Sequence, residues 1–254
     1  MEKSKPYGTV LLKAAKIMDY LSDNANKPLQ DIAQGTGMTS STSLKILETL
    51  LLIGYVSRDK NKNYRLGTKL IRYANQSIDR IELVELSLPY LEKLQKSIDE
   101  TIHLGVLVDN EILYVNKLEP LNQTIRMSSK VGVTRPLYSS AMGKAVLAEL
   151  DEVEYANYID RNPLVPYTEN TITNALKLST ELQKVRETGI AYDDEEMEKD
   201  IFCIGASLKK SDKIIGAFSV SIPKYRVTEE FKNQIIQTVV KTKHELEQAL
   251  AVSS

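Results

Sequence analysis

The 254-residue sequence contains one cysteine, Cys203. A single thiol cannot close an internal disulfide, so no covalent cross-link supports the fold. There is no run of about 18 apolar residues, which excludes a membrane-spanning helix. The first ten residues, MEKSKPYGTV, carry charges but lack the apolar core of a secretory signal. The expected compartment is a reducing cytoplasm, with no membrane partner. Internal repeats and low-complexity stretches are also missing, which excludes a solenoid. Hydrophobic residues make up 42% and charged residues 26%, the balance of a globular chain, and the length suits two domains.

Charge is where the chain becomes informative. The formal net charge is −1, yet residues 1–80 hold 13 Lys and Arg against 7 Asp and Glu, leaving the remainder at −7. A basic first third on an acidic remainder suggests a polyanion-binding module joined to a domain with another task.

In the basic third, Val10, Leu11, Ala14, Ile17, Met18 and Leu21 repeat with helical spacing as far as Asn24. Pro28 suits the start of a short second helix, Gly35-Thr36-Gly37 makes a tight turn, and Thr39 or Ser40 can cap a third helix. Its expected buried stripe is Leu44, Leu47, Leu50 and Leu51, ending at Gly54. Tyr55–Arg58 and Tyr64–Leu66 then read as two strands around the polar turn 59–63, a wing with a basic tip. Two short helices joined by a glycine turn and followed by such a hairpin describe a winged helix-turn-helix. Base edges in the major groove need short donors and acceptors near a helix N-terminus, so Thr39, Ser40, Ser41, Thr42 and Lys45 are the candidate base and backbone contacts. Lys60, Lys62 and Arg65 are candidates for phosphate or minor-groove contacts.

Beyond Gly67, Leu70, Ile71, Ala74, Ile78, Ile81 and Val84 predict a connecting helix that breaks at Pro89. Its apolar stripe suits either a dimer contact or packing on its own domain. The remainder alternates helices with hairpins. Helices are expected over 91–98, 141–150, 176–188 and 229–250, and strands around 103–108, 112–115, 125–127, 202–208 and 214–222, with 132–136 a loop. The fold class is α+β, with an antiparallel sheet covered by helices. The expected organisation is a winged helix-turn-helix domain over 1–67, a linker helix over 68–88 and a ligand-sensing domain over 89–254.

The residues of this second domain suggest several chemistries. Ser219 and Ser221 lie two apart on a strand, so both face one way; they suit either one bound carboxylate or an exposed polar face. Ser139–Met142 open a helix whose amides favour an anion. A phosphate loop at Gly143-Lys144 is excluded, because Tyr138 stands where the first glycine is required. Asp193-Asp194-Glu195-Glu196 reads as a solvated acidic loop with Asp193 turned to a pocket; it lacks the spacing of an EF-hand. Cys203, His103 and Asp193 are the residue types of a nucleophilic triad, but no flanking nucleophile signature accompanies them. No metal or other cofactor is expected.

Three stretches together resemble the IclR-type transcriptional regulators across essentially the whole chain. They are Gly37-Met38-Thr39-Ser40-Ser41-Thr42 with Gly54-Tyr55-Val56; Arg135-Pro136-Leu137-Tyr138-Ser139-Ser140-Ala141-Met142-Gly143-Lys144-Ala145; and Gly189–Glu196 with Cys203-Ile204-Gly205-Ala206 and Ser219–Pro223. The resemblance implies a GAF-like C-terminal domain that binds a small effector, often an organic acid, and a protein that binds DNA as a dimer or a dimer of dimers. By the same resemblance the effector pocket maps to Met127, Ala141, Met142, Asp193, Cys203, Ser219 and Ser221. The sequence departs from the family pattern at Lys45, where many relatives have arginine, and at Tyr138, where histidine is common. The expected function is a DNA-binding regulator, with repression the expected sense, of a catabolic operon whose operator affinity answers to a sugar acid or an aromatic acid. The rival reading is an enzyme, a hydrolase or transferase of a small acid, with the winged module used for docking.

Overall fold

The computed structural model describes residues 8–73, 82–123 and 127–252. The chain forms two compact units that divide between residues 80 and 81.

The first unit opens with α1 (Thr9–Asp23), α2 (Leu29–Thr36) and α3 (Ser40–Leu52). Gly37 ends α2 at φ 67°, a left-handed conformation that glycine adopts without strain, and its N–H returns to the Gln34 carbonyl at 3.1 Å. Two residues later Thr39 caps α3, its Oγ1 accepting the Thr42 N–H at 3.2 Å. The stripe that α3 buries is Ser43, Ile46, Leu47 and Leu50, not the expected Leu44, Leu47, Leu50 and Leu51. Ser43 and Ile46 share a face with Leu47 and Leu50 at helical spacing, α1 and α2 cover that face, and Leu44 and Leu51 are left half-buried at its margins.

The wing is β1 (Val56–Arg58) paired antiparallel with β2 (Tyr64–Leu66). Asp59 closes its turn by accepting the N–H groups of Asn61 and Asn63 at 2.8 and 2.9 Å. Lys27 exchanges two backbone hydrogen bonds with Tyr64, at 3.1 and 2.8 Å, so the α1–α2 loop extends the wing as a short third strand. Ile17, Leu21, Ile32, Ile46, Leu47, Leu50, Val56 and Tyr64 form one small core beneath these elements. Residues 69–73 are helical, whereas Ala74, Ile78 and Ile81 of the expected connector lie outside the described residues.

The second unit begins with α4 (Glu82–Ile98), which runs straight through Pro89 instead of breaking there. An interior proline costs a helix about 3 kcal/mol. Leu83, Leu91, Leu94 and Ile98, on both sides of the proline, are all buried in the core, and each such burial is worth roughly 1.5–3 kcal/mol, which outweighs that cost. A six-stranded sheet follows, built from β3 (Thr101–Val108), β4 (Glu111–Leu118), β5 (Thr134–Pro136), β6 (Ala191–Asp194), β7 (Ile201–Lys210) and β8 (Lys213–Pro223) in the order β5-β4-β3-β8-β7-β6. Every neighbouring pair is antiparallel. The remaining helices are α5 (Ala141–Leu147), α6 (Glu152–Arg161), α7 (Ala175–Thr188) and α8 (Glu229–Val252).

Three local expectations change. Thr134–Pro136 pairs with β4, so 132–136 is not all loop; Met127 belongs to no strand, and Ile125 and Arg126 lie outside the described residues. Helix α5 stops at Leu147, short of Leu150. Helix α6 was not anticipated, although Asp151 and Glu154 form a reciprocal capping box at 2.7 and 3.1 Å and so signal its start.

Strand alternation sorts the sheet into two faces. Ile102, Leu104, Phe202, Ile204, Ala206, Phe218, Val220 and Ile222 share a core with α4 and α8. The intervening positions are small or polar: His103 registers with Ser219, Cys203 with Ser221, and Asp193 with Cys203. Helix α5 lies directly on that second face. A Cβ at Gly205 would stand 2.7 Å from the Ala141 carbonyl carbon and 2.9 Å from the Met142 nitrogen, a distance only glycine permits.

Candidate functional sites

In the winged unit, Thr39, Ser40, Ser41 and Lys45 are exposed at the start and on the outer face of α3. Thr42 is half-buried, and its hydroxyl accepts from Thr39 Oγ1 at 2.9 Å, so it serves the cap first. Thr42 and Lys45 also flank an apolar groove of about 350 Å³ between α3 and the start of α1, where Val10 and Leu11 are exposed. Lys60 and Lys62 stand exposed at the wing tip. Arg65 donates from Nε to Ser57 Oγ at 3.2 Å, which lays its guanidinium along the wing. Among the described residues Lys45, Lys60, Lys62 and Arg65 make no ion pair within the chain, so their charges stay available to a polyanion. Arg58, over the Tyr64 ring at 5.9 Å, is a further exposed cation of the wing that the sequence analysis did not select.

In the second unit a cavity of about 50 Å³ opens on the polar face of the sheet. Met127, Asp193, Cys203 and Ser221, four of the seven positions to which the resemblance points, line it. Ala141, Met142 and Ser219 do not: they are buried beside it, where the first turn of α5 presses on Gly205, the register partner of Ser219. At the 139–142 helix start the serine side chains are engaged within the chain. Helix α5 has seven residues, Ser140 Oγ is consumed by the Gly143 N–H at 3.1 Å, and Ser139 donates to Met197 Sδ at 2.8 Å. The seven lining residues missed by the sequence analysis as pocket members are His103, Tyr114, Ser129, Arg135, Met197, Glu198 and Ile201. Of these only His103, a polar residue inside an apolar strand, carried a visible signal.

The cavity wall is a hydrogen-bonded chain. Cys203 Sγ lies 3.2 Å from Ser221 Oγ, Ser221 Oγ lies 3.2 Å from His103 Nδ1, and His103 Nε2 lies 2.7 Å from Ser129 Oγ. Lys117 Nζ holds the loop bearing Met127 and Ser129 by donating to their carbonyls at 2.7 and 2.8 Å. Burial, with the charges of Lys117 and Arg135, pushes the His103 imidazole down to about 3, so it is neutral with one donor and one acceptor nitrogen. Burial raises the Cys203 thiol, which stays protonated. The triad residues therefore meet in one cavity, but Ser221 stands between Cys203 and His103, and burial disfavours the Cys203 thiolate.

The acidic run is less solvated than expected. Asp193 is 5% exposed; its Oδ1 accepts the Glu196 and Met197 N–H groups at 2.8 and 3.3 Å. Burial raises its carboxyl to about 7, with the Glu196 carboxylate adding to the rise and Lys144 and the two N–H groups opposing it. Glu196 turns inward to a buried ion pair with Lys144, which is 1% exposed. Thr168 and Thr171 clamp the same segment, donating to the Glu195 and Glu196 carbonyls at 2.6 Å each. Among the described residues no group of three or more His, Cys, Asp or Glu is arranged to hold a metal ion.

Comparison with known proteins agrees along the chain. The family model for the bacterial transcriptional regulator IclR C-terminal domain matches residues 75–248, and that for the IclR helix-turn-helix domain matches residues 10–60. The HTH-type transcriptional regulator KdgR of Escherichia coli K12 is 30% identical over 232 residues, covering 91% of this chain and 88% of that protein. The crystal structure of IclR from Thermotoga maritima superposes with a TM-score of 0.76 at 32% identity, over 96% of this chain and all of that one. An IclR homologue from Microbacterium hydrocarbonoxydans, crystallised with 4-hydroxybenzoate, shares the fold with a TM-score of 0.80 at 20% identity, over 96% of this chain and 100% of that one. With both halves matched, the chain belongs to the IclR family of DNA-binding transcriptional regulators.

Proposed function

We propose that the protein is a repressor of a catabolic operon, that residues 1–67 read its operator, and that the cavity of residues 89–254 senses a small organic acid. The observation that carries the second half of this reading is the cavity wall itself. Arg135, Ser129, Ser221 and a neutral His103 offer one cation, two hydroxyls and an imidazole in one small cavity, the equipment for a small oxygen-rich anion. The solved homologue bound to 4-hydroxybenzoate supports an acid in that role. Thr39, Ser40, Ser41, Thr42 and Lys45 are proposed to approach the major groove, and Lys60, Lys62 and Arg65 the backbone. The protein is proposed to act in the cytoplasm as a dimer or dimer of dimers, on a nearly palindromic site, and to release its acid unchanged.

The test is fluorescence anisotropy of the purified protein on DNA from its own upstream region, across salt concentrations and a panel of carboxylic acids. Operator binding should weaken steeply and linearly on a logarithmic salt scale, and at least one acid should shift it. Binding that stays sequence-independent, or an acid consumed during the assay, would remove the repressor reading and favour an enzyme.

A further inference from the structure

Asp193 is placed in the cavity in an unusual way for a site proposed to hold an acid. Its Oδ1 is saturated by the Glu196 and Met197 N–H groups, while Oδ2 has no hydrogen-bond partner among the described residues. The groups facing it are few and come from every surrounding element. Helix α5 supplies Lys144, whose charge is already matched by Glu196. Its own segment supplies Glu196 and the exposed Glu198; β7 supplies Cys203, β4 Tyr114, β3 the neutral His103 and β5 Arg135. Among the described residues Arg135 is the cation lining the cavity, against two carboxylates, Asp193 and Glu198. An acid that enters so small a space brings a second carboxylate to Asp193, and two carboxylates sharing one site retain a proton between them.

We propose that the cavity binds a monocarboxylate together with one proton: Asp193 takes up the proton at Oδ2 and donates a hydrogen bond to the bound carboxylate, while Arg135 supplies the single matching charge. The proton comes from the buffer and no covalent bond changes. This inference rests on the acid-sensor reading above and narrows it to monoanions, because a dianion would leave one charge unmatched beside Glu198. Burial already raises the Asp193 carboxyl to about 7, so the uptake needs little further shift at neutral pH. It also assigns Asp193 a selecting role, since a protonated carboxyl rewards an acceptor and an ionised one would attract an amine.

Titration calorimetry on the full chain tests this, with pyruvate, 4-hydroxybenzoate and other C2–C7 monocarboxylates, and succinate as the dianion, in phosphate and in Tris. The expected result is uptake of close to one proton per bound acid at about pH 8, and an association constant that falls tenfold per pH unit above about pH 7. Asp193→Asn, which keeps a donor at that position, should bind with no proton uptake and no pH slope. Arg135→Gln should bind more weakly yet still take up the proton. An acid that binds wild-type protein without proton uptake overturns the inference and leaves the acid-sensor reading standing. If no carboxylate binds, both fall together. The wild-type proton count needs no variant, so the outcome does not depend on Asp193→Asn folding well.

Discussion

The two units carry their chemistry in opposite ways. In the winged unit the candidate contacts are exposed side chains on one helix start and one hairpin, and a small core of eight buried residues only holds them in place. In the second unit the chemistry is inside: His103, Asp193, Cys203 and Ser221 come from β3, β6, β7 and β8, and they are neighbours because the sheet registers them. An outward site can lose a residue without disturbing the fold. An inward site cannot, because the same buried polar groups must satisfy one another.

The sharpest way to probe that contrast is Lys144→Met, which strands the Glu196 carboxylate in the interior. It should destabilise the second unit by about 3–5 kcal/mol, read as lost hydrogen-exchange protection over residues 82–252, and Lys144→Met with Glu196→Leu should recover most of it. Full protection in the single variant would show that the pair is dispensable.

A smaller effect follows from Asp193. Its folded-state carboxyl lies at about 7, above the value of about 3.9 in an unfolded chain, so folding favours the protonated form. Its stabilising contribution is complete below about pH 4 and is lost as pH rises towards about 7; between pH 5 and pH 7 the loss should be about 2 kcal/mol. Denaturant melts of wild type and Asp193→Asn across this range measure it as the difference in slope, and parallel curves would refute it.

The smallest effects are expected on the outward side. Lys45→Ala should weaken operator binding by about 1 kcal/mol and lower the salt slope by about 1, with no change in stability. Thr39→Ala should do the converse in part, costing about 1 kcal/mol of stability through the lost cap of α3. If Lys45→Ala were to destabilise the unit instead, its side chain would belong to the α1–α3 groove and not to the DNA face.

These differences explain what could be read before the fold was known. The turn at Gly37, the Thr39 cap and the wing depend on residues within a few positions of one another, so local chemistry specifies them. Pro89 misled because a local penalty was outweighed by core contacts made on either side of it. Of the positions to which the resemblance to known regulators points, Met127, Asp193, Cys203 and Ser221 line the cavity, while Ala141, Met142 and Ser219 are buried beside it. Arg135 opens one of the stretches that carry the resemblance but is not one of its pocket positions, and Ser129 lies in no pattern that marks a wall.

The sequence by itself determined the winged module, the alternation of apolar with small polar residues along β3, β7 and β8, and the family. Those follow from side-chain periodicity and turn chemistry, which act over short stretches of chain. Only the tertiary structure decided which polar groups share the cavity, that Glu196 turns inward to Lys144, and that Arg135 lines the same cavity as Asp193. Strand order and register bring together residues far apart in sequence, as at His103 and Ser221, 118 positions apart, and that pairing depends on how whole elements pack.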